Sequence, residues 1–176
     1  METWRSEAGT RDPEPDTRNH HSTFDIRHSS FMTDAVAWAR QKFETVAFLK
    51  FLGARLDHLE ADHCRLCLPL REELMQAYGY MHGGVIAALA DSAVAFAIYA
   101  ATSPNCQLLT VDMNIHYLSV VRDLALADAR ILRRGNTLAV GEVKISDGGG
   151  NQCALAMVTY ILRAAKGTAA KRGAER

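Results

Sequence analysis

From Gly83 to Val111 the chain runs for twenty-nine residues with one formal charge, Asp91. The segment opens on Gly83-Gly84, continues as an alanine-rich apolar run through Tyr99, and meets the carboxylate near its middle. The run predicts a long buried helix over 83–101. Burying an unpaired carboxylate costs several kcal/mol, on the order found for single ions in proteins. A chain that keeps one there is better explained by use than by tolerance. A membrane span fits poorly, because alanine dominates and the acid sits at the centre.

What surrounds this helix follows from periodicity. Thr33 is a candidate N-cap for an amphipathic helix that the apolar spacing carries from 34 to 52, ending near Gly53. Strands are expected at 54–60 and 62–70, then a polar-aromatic loop, Gln76 to His82, leading into the long helix. After Pro104 the pattern turns to period two, with Thr110, Asp112, Asn114 and His116 on one face of a strand and Val111, Met113, Ile115 and Tyr117 on the other. Three further strands are expected near 124–133, 137–146 and 152–162, joined by Gly135-Asn136 and by the glycine-rich turn 147–151.

Sequence-adjacent strands make the sheet mostly antiparallel. Its inner face must be covered, and the long helix, studded with Ala87, Ala88, Ala90, Ala93, Ala95 and Ala97, lets a curved sheet wrap it closely. The expected fold is therefore α+β, a hot-dog arrangement: an antiparallel sheet around one central helix, with an extra N-terminal helix.

Residues 1–30 are polar, with few apolar anchors and no apolar leader core, and residues 164–176 form a basic, small-residue tail. Both are expected to be disordered, flanking one domain at 31–163. With 20 basic and 20 acidic residues the net charge is zero, so no global field recruits nucleic acid or an anionic membrane. Four cysteines without an export signal indicate a reducing cytoplasm. Cys64 and Cys67 invite a zinc or redox reading, but on a strand they point to opposite faces, and ordinary packing is expected.

The chemistry centres on the long helix. Its first amides lack intrahelical partners and carry the positive end of the dipole. Gly83 and Gly84 let a ligand atom approach that backbone and be polarised there. The glycines alone fit a plain turn into a core helix equally well. Asp91 sharpens the case: eight residues of helix put it roughly 12 Å from Gly83. If both act on one substrate, the acid comes from a second subunit, and antiparallel helices across a two-fold axis would build two equivalent composite sites. A carboxylate paired with a buried donor across that interface is the competing explanation.

The stretch Gln76-Ala-Tyr-Gly-Tyr-Met-His82-Gly83-Gly84 through Asp91, followed by Thr110-Val-Asp-Met-Asn-Ile-His-Tyr117, resembles the hot-dog acyl-CoA thioesterases, closest to the phenylacetate-degradation (PaaI) type. The resemblance covers roughly residues 50–163. It implies that Gly83 donates its amide to the thioester carbonyl and that Asp91 is nucleophile or general base. Gln76, often Asn in that branch, would orient the attack. Thr110 would contact the acid or the water, and His82 would be structural or carbonyl-orienting. It implies no metal and no cofactor, an acyl- or aryl-CoA substrate, and a homodimer with composite sites assembled further into a homotetramer. Gly84 is a second candidate for substrate contact. Among basic residues suited to the CoA phosphates (Arg122, Arg133, Arg134, Lys144), Arg134 is the candidate carried forward.

Two rivals remain. A hot-dog hydratase would use an Asp-x-Asn-Pro-x-His dyad, and Asp112, Asn114 and His116 mimic it without the proline and with the histidine one residue early. A non-catalytic acyl-CoA-binding hot-dog protein would lack the helix acid.

Overall fold

The period-two stretches all form strands, and the apolar run forms the helix they enclose. The computed structural model describes residues 34–102 and 104–164, so Thr33, the N-terminal tail and the tail beyond Ala164 lie outside the described residues. In chain order the elements are α1 (34–43), α2 (Ala47–Leu52), β1 (Arg55–Glu60), β2 (His63–Pro69), a short 3-10 turn at Glu72–Leu74, α3 (Gly83–Tyr99), β3 (Cys106–Tyr117), β4 (Leu124–Arg134), β5 (Leu138–Ser146) and β6 (Gln152–Ala164). The six strands form one antiparallel sheet in the order β1-β2-β4-β5-β6-β3.

The expected helix over 34–52 is two helices. At 44–46 the amides of Thr45 and Val46 turn to the carbonyls of Lys42 and Phe43, and the Thr45 hydroxyl donates to the Lys42 carbonyl at 2.8 Å. That side chain competes with the helical ladder, and Val46 takes extended angles as the cap of α2. Apolar spacing continues through the break, which is why the pattern reads as one helix. Gly53, at φ 78°, adopts the left-handed conformation that ends α2 as expected.

The core forms where α3 meets the inner sheet face. Ala90, Ala93 and Ala97 of α3 and Ala125, Ala127 and Ala129 of β4 are all fully buried. Small side chains on both surfaces bring the helix axis close to the strands. Gly141 in β5 completes the fit, since a Cβ there would stand 2.9 Å from Val94 Cγ1 of α3. Any side chain at 141 would push the helix off the sheet.

One register detail departs from the strict alternation expected of β3. Thr110 pairs with Tyr160 and Asp112 with Thr159, leaving Val111 as an extra residue in a β-bulge. Thr110 therefore turns toward α3, while Asp112, Asn114 and His116 stay exposed on the outer face. The four residues do not share a face. Cys64 points into the core and Cys67 outward, all four cysteines are free thiols, and burial pushes both of these thiols above their ordinary range. No helix among the described residues is long and apolar enough to cross a membrane.

Candidate active site

The start of α3 is a built donor. His82 is its N-cap, in extended backbone conformation, and His82 Nδ1 accepts a hydrogen bond from the Gly84 amide at 2.9 Å. Nδ1 must therefore be unprotonated. The Val85 and Ile86 amides both reach the His82 carbonyl, at 2.9 and 3.2 Å. The Gly83 amide is left without an acceptor among the described residues. It stands at the positive end of a seventeen-residue helix. Tyr117, at the end of β3, donates its hydroxyl to the Gly83 carbonyl at 2.8 Å, and its ring would stand 3.3 Å from a Cβ at position 83. A side chain at position 83 would thus have to shift Tyr117 by a few tenths of an ångström.

The approach to this helix is held by its neighbours. Met75 and Met81 pair across the 75–81 loop, the Met81 amide bonds the Val121 carbonyl at 3.0 Å, and the His82 amide bonds the Leu74 carbonyl at 2.8 Å. Gln76 lies within this loop. Its side-chain oxygen accepts from the Tyr78 amide, and its own amide bonds the Tyr80 carbonyl. No hydrogen bond joins Gln76 to Gly83 or Asp91 among the described residues. Arg122 lies over the Tyr80 ring, 4.5 Å from its centroid, beside the same loop.

Asp91 sits two turns along α3, half-buried. Thr110 donates its hydroxyl to Asp91 Oδ1 at 2.9 Å, and the Tyr160 hydroxyl lies 2.7 Å from the same oxygen and 2.9 Å from the Asp91 carbonyl. The carboxylate is therefore paired, with donors from its own chain. Both contacts fall on Oδ1, leaving Oδ2 as the oxygen open to a water or an electrophilic carbon. Tyr160 is only 4% exposed. Its burial first, and the Asp91 charge second, push the phenol well above its ordinary pKa, so it stays a neutral donor. Tyr160 and Tyr117 received no role from the residue pattern. Their cross-strand register with β3 and their reach to α3 are long-range properties that the local alternation does not carry.

The chain thus brings Asp91, Thr110 and Tyr160 into one cluster, and His82, Gly83, Gly84 and Tyr117 into another. Arg134 stands apart from both. It forms a two-pronged ion pair with Asp62, at 2.8 and 3.1 Å, near the C-terminal end of α3. There it lines a cavity of about 440 Å³ with Asn136 and Arg163. Asp112, Asn114 and His116 line no part of either cluster.

An antiparallel sheet wrapped on one helix, with a free amide at the helix start and a hydrogen-bonded acid in its apolar middle, defines a hot-dog protein. The thioesterase superfamily model matches residues 78–154, the span that holds both clusters except Tyr160. A candidate esterase of Halobacterium salinarum is 31% identical over 117 residues, covering 64% of this chain and 78% of that protein. The chain belongs to the thioesterase superfamily, which assigns it to the thioester hydrolases. A 1,4-dihydroxy-2-naphthoyl-CoA hydrolase of Listeria monocytogenes is 28% identical over 97 residues, covering 54% of this chain and 79% of that enzyme. The solved structure of the Escherichia coli PaaI protein from the phenylacetic acid degradation operon superposes with a TM-score of 0.70 at 19% identity, over 77% of this chain and 98% of that one. At that identity the likeness concerns the fold.

Proposed function

We propose that this chain is an acyl-CoA thioesterase that hydrolyses an acyl- or aryl-CoA ester to the free acid and CoA. The observation that carries the reading is the pair of unequal oxygens on Asp91. Oδ1 is held by Thr110 and Tyr160, and Oδ2 is free to take a proton from water or to attack the thioester carbon itself. In the water route, the hydroxide equivalent adds to the carbonyl carbon and the proton passes to Asp91. The oxyanion is held by the Gly83 amide, and the tetrahedral centre collapses with loss of the CoA thiolate, which is protonated on release. Water, a carboxylate and an amide supply every group required, so no cofactor takes part. An oxyanion donor of this kind is worth roughly 10²–10³ in rate, and a positioned base roughly 10²–10⁴.

Gly83 and Asp91 of one chain are too far apart to share one carbonyl, roughly 12 Å along the helix. We therefore assign the two groups of each site to different subunits of a homodimer, with a tetramer as its further assembly. β3 supports this: it is the sheet edge, twelve residues long, with Leu109 and Val111 exposed by 51% and 54%. A long apolar edge is a template for pairing with another chain, and Thr110, which holds Asp91, lies on it. Gln76 from the loop before His82 would meet the partner's acid in such a site. His82 holds the Gly83 turn in place, and Gly84 contributes its lack of a side chain. Arg134 would take a CoA phosphate by exchanging Asp62 for it, and Arg122 lies closer to the Gly83 end. Free thiols fit a reaction in the cytoplasm.

The test is a panel of CoA thioesters, from short aliphatic through phenylacetyl, benzoyl and 1,4-dihydroxy-2-naphthoyl, assayed for thiol release. Wild type should turn over at least one class, and Asp91→Asn should lower its kcat by at least about 10². Equal rates for the two proteins on every thioester would remove Asp91 from the mechanism.

A further inference from the structure

At the other edge of the sheet, the β1–β2 hairpin gathers a second set of chemically capable side chains. A register shift between Leu56 and His58 places His58 and Glu60 on the outer face of β1, and Glu60 pairs directly with His63 at the start of β2. Glu60 Oε1 lies 3.1 Å from His63 Nδ1 and 3.5 Å from His58 Nε2, and all three ligand atoms fall within 4.8 Å of one another. A tetrahedral ion with bonds of about 2.0–2.1 Å sets its ligand atoms about 3.4 Å apart. The two distances to Glu60 bracket that value.

Three further features point to an ion. His58 Nε2 is shut off from solvent, and its nearest polar partner is Glu60 Oε1 at 3.5 Å, long for a hydrogen bond and close to the spacing of two ligands on one ion. His63 Nε2 lies 3.1 Å from Asp128 Oδ1. With an ion between Nδ1 and Glu60, Nε2 would donate its proton to Asp128, the carboxylate–histidine arrangement that commonly backs a metal ligand. The hairpin turn is itself anchored: Asp62 is gripped by Arg134, its amide bonds the Ala97 carbonyl of α3, and its carbonyl accepts from Ile131. Ligand positions on such a frame are preorganised.

We propose that His58, Glu60 and His63 form a three-ligand site for a divalent late first-row transition cation of the Zn²⁺ type, with a solvent molecule as fourth ligand. The two imidazoles and one carboxylate suit that borderline class over Ca²⁺ or Mg²⁺, which take oxygen ligands. The site clips the edge strand β1 to β2. It lies across the sheet from β3, so its role is to hold the hairpin rather than to join the hydrolysis.

The experiment titrates chelator-stripped full-length protein with Zn²⁺ by calorimetry. The background is His20→Gln/His21→Gln/His28→Gln, which removes the histidines of the N-terminal segment as competitors. One equivalent per chain should bind, and thermal unfolding should move to higher temperature with Zn²⁺. Glu60→Gln and His63→Gln should each weaken binding by at least about tenfold, and Asp128→Asn by about 10–100-fold, while thioester hydrolysis is unchanged in all three. Absence of saturable binding, or binding that survives Glu60→Gln and His63→Gln undiminished, overturns the assignment.

Discussion

Two hydroxyls meet the Asp91 carboxylate in its apolar helix, and the two are not equivalent. Thr110 is exposed and on an edge strand, so water can replace it; Tyr160 is buried and held by β6. The Tyr160 contact should therefore dominate. A hydrogen bond to a charged group contributes about 1.5–3 kcal/mol, so Tyr160→Phe should destabilise by an amount in that range and lower kcat/KM about tenfold, while Thr110→Val should cost less in stability. The pH dependence has a definite sign. The Tyr160 pKa is raised in the folded state, so its contribution is fully present below the unfolded phenol value of about 10 and is lost as pH rises beyond it toward the folded value. Denaturant unfolding of wild type and Tyr160→Phe should show a constant difference from pH 7 to about 10 and a shrinking one above. A difference that vanished at neutral pH would show that the hydroxyl does not hold the carboxylate.

At the scale of the element, the start of α3 makes a prediction that separates the amide from the glycine. Gly83 is the first helical residue and His82 already has φ −64° and ψ 135°, the extended geometry a following proline favours. Gly83→Pro removes the amide hydrogen at a position where proline suits a helix, although its ring must shift Tyr117 slightly. It should fold, and its kcat/KM should fall roughly 10²–10³. His82→Ala should instead cost about 1 kcal/mol of stability through the lost cap, and His82→Asn should recover most of it. This element was also the most legible in the sequence. A lone charge in an apolar run and two glycines at its head are local signals, and all six strands were expected near where they form, β3 on its period-two alternation. What the pattern hid is non-local or below its resolution. The Thr45 hydroxyl breaks a helix whose apolar spacing continues unbroken. The Val111 bulge turns Thr110 to the other face, so the residue pattern misplaced it even though the family resemblance had named it. Tyr160 looks like any buried strand aromatic, because its hydroxyl's partner lies sixty-nine residues away.

At the scale of the molecule, the proposed composite site divides the groups of one chain between two half-sites. The Gly83 amide closes one, and the acid cluster of Asp91, Thr110 and Tyr160 opens the other beside the free edge of β3. If pairing along that edge sets α3 antiparallel to its copy, each carbonyl bound at Gly83 of one subunit meets Asp91 of the other. The dimer then has two sites, each needing one intact group from either chain. The consequence is arithmetic. Gly83→Pro and Asp91→Asn are each inactive as homodimers, yet a mixed dimer places both lesions in one site and none in the other. After subunit exchange at equal concentrations, about half of the dimers are mixed, each with one wild-type site, so activity should return to roughly a quarter of the wild-type value. Native mass spectrometry can verify the exchange independently. Verified mixed dimers without recovered activity would place both groups in a single subunit's site, and the roughly 12 Å of helix between them would then need a different substrate pose.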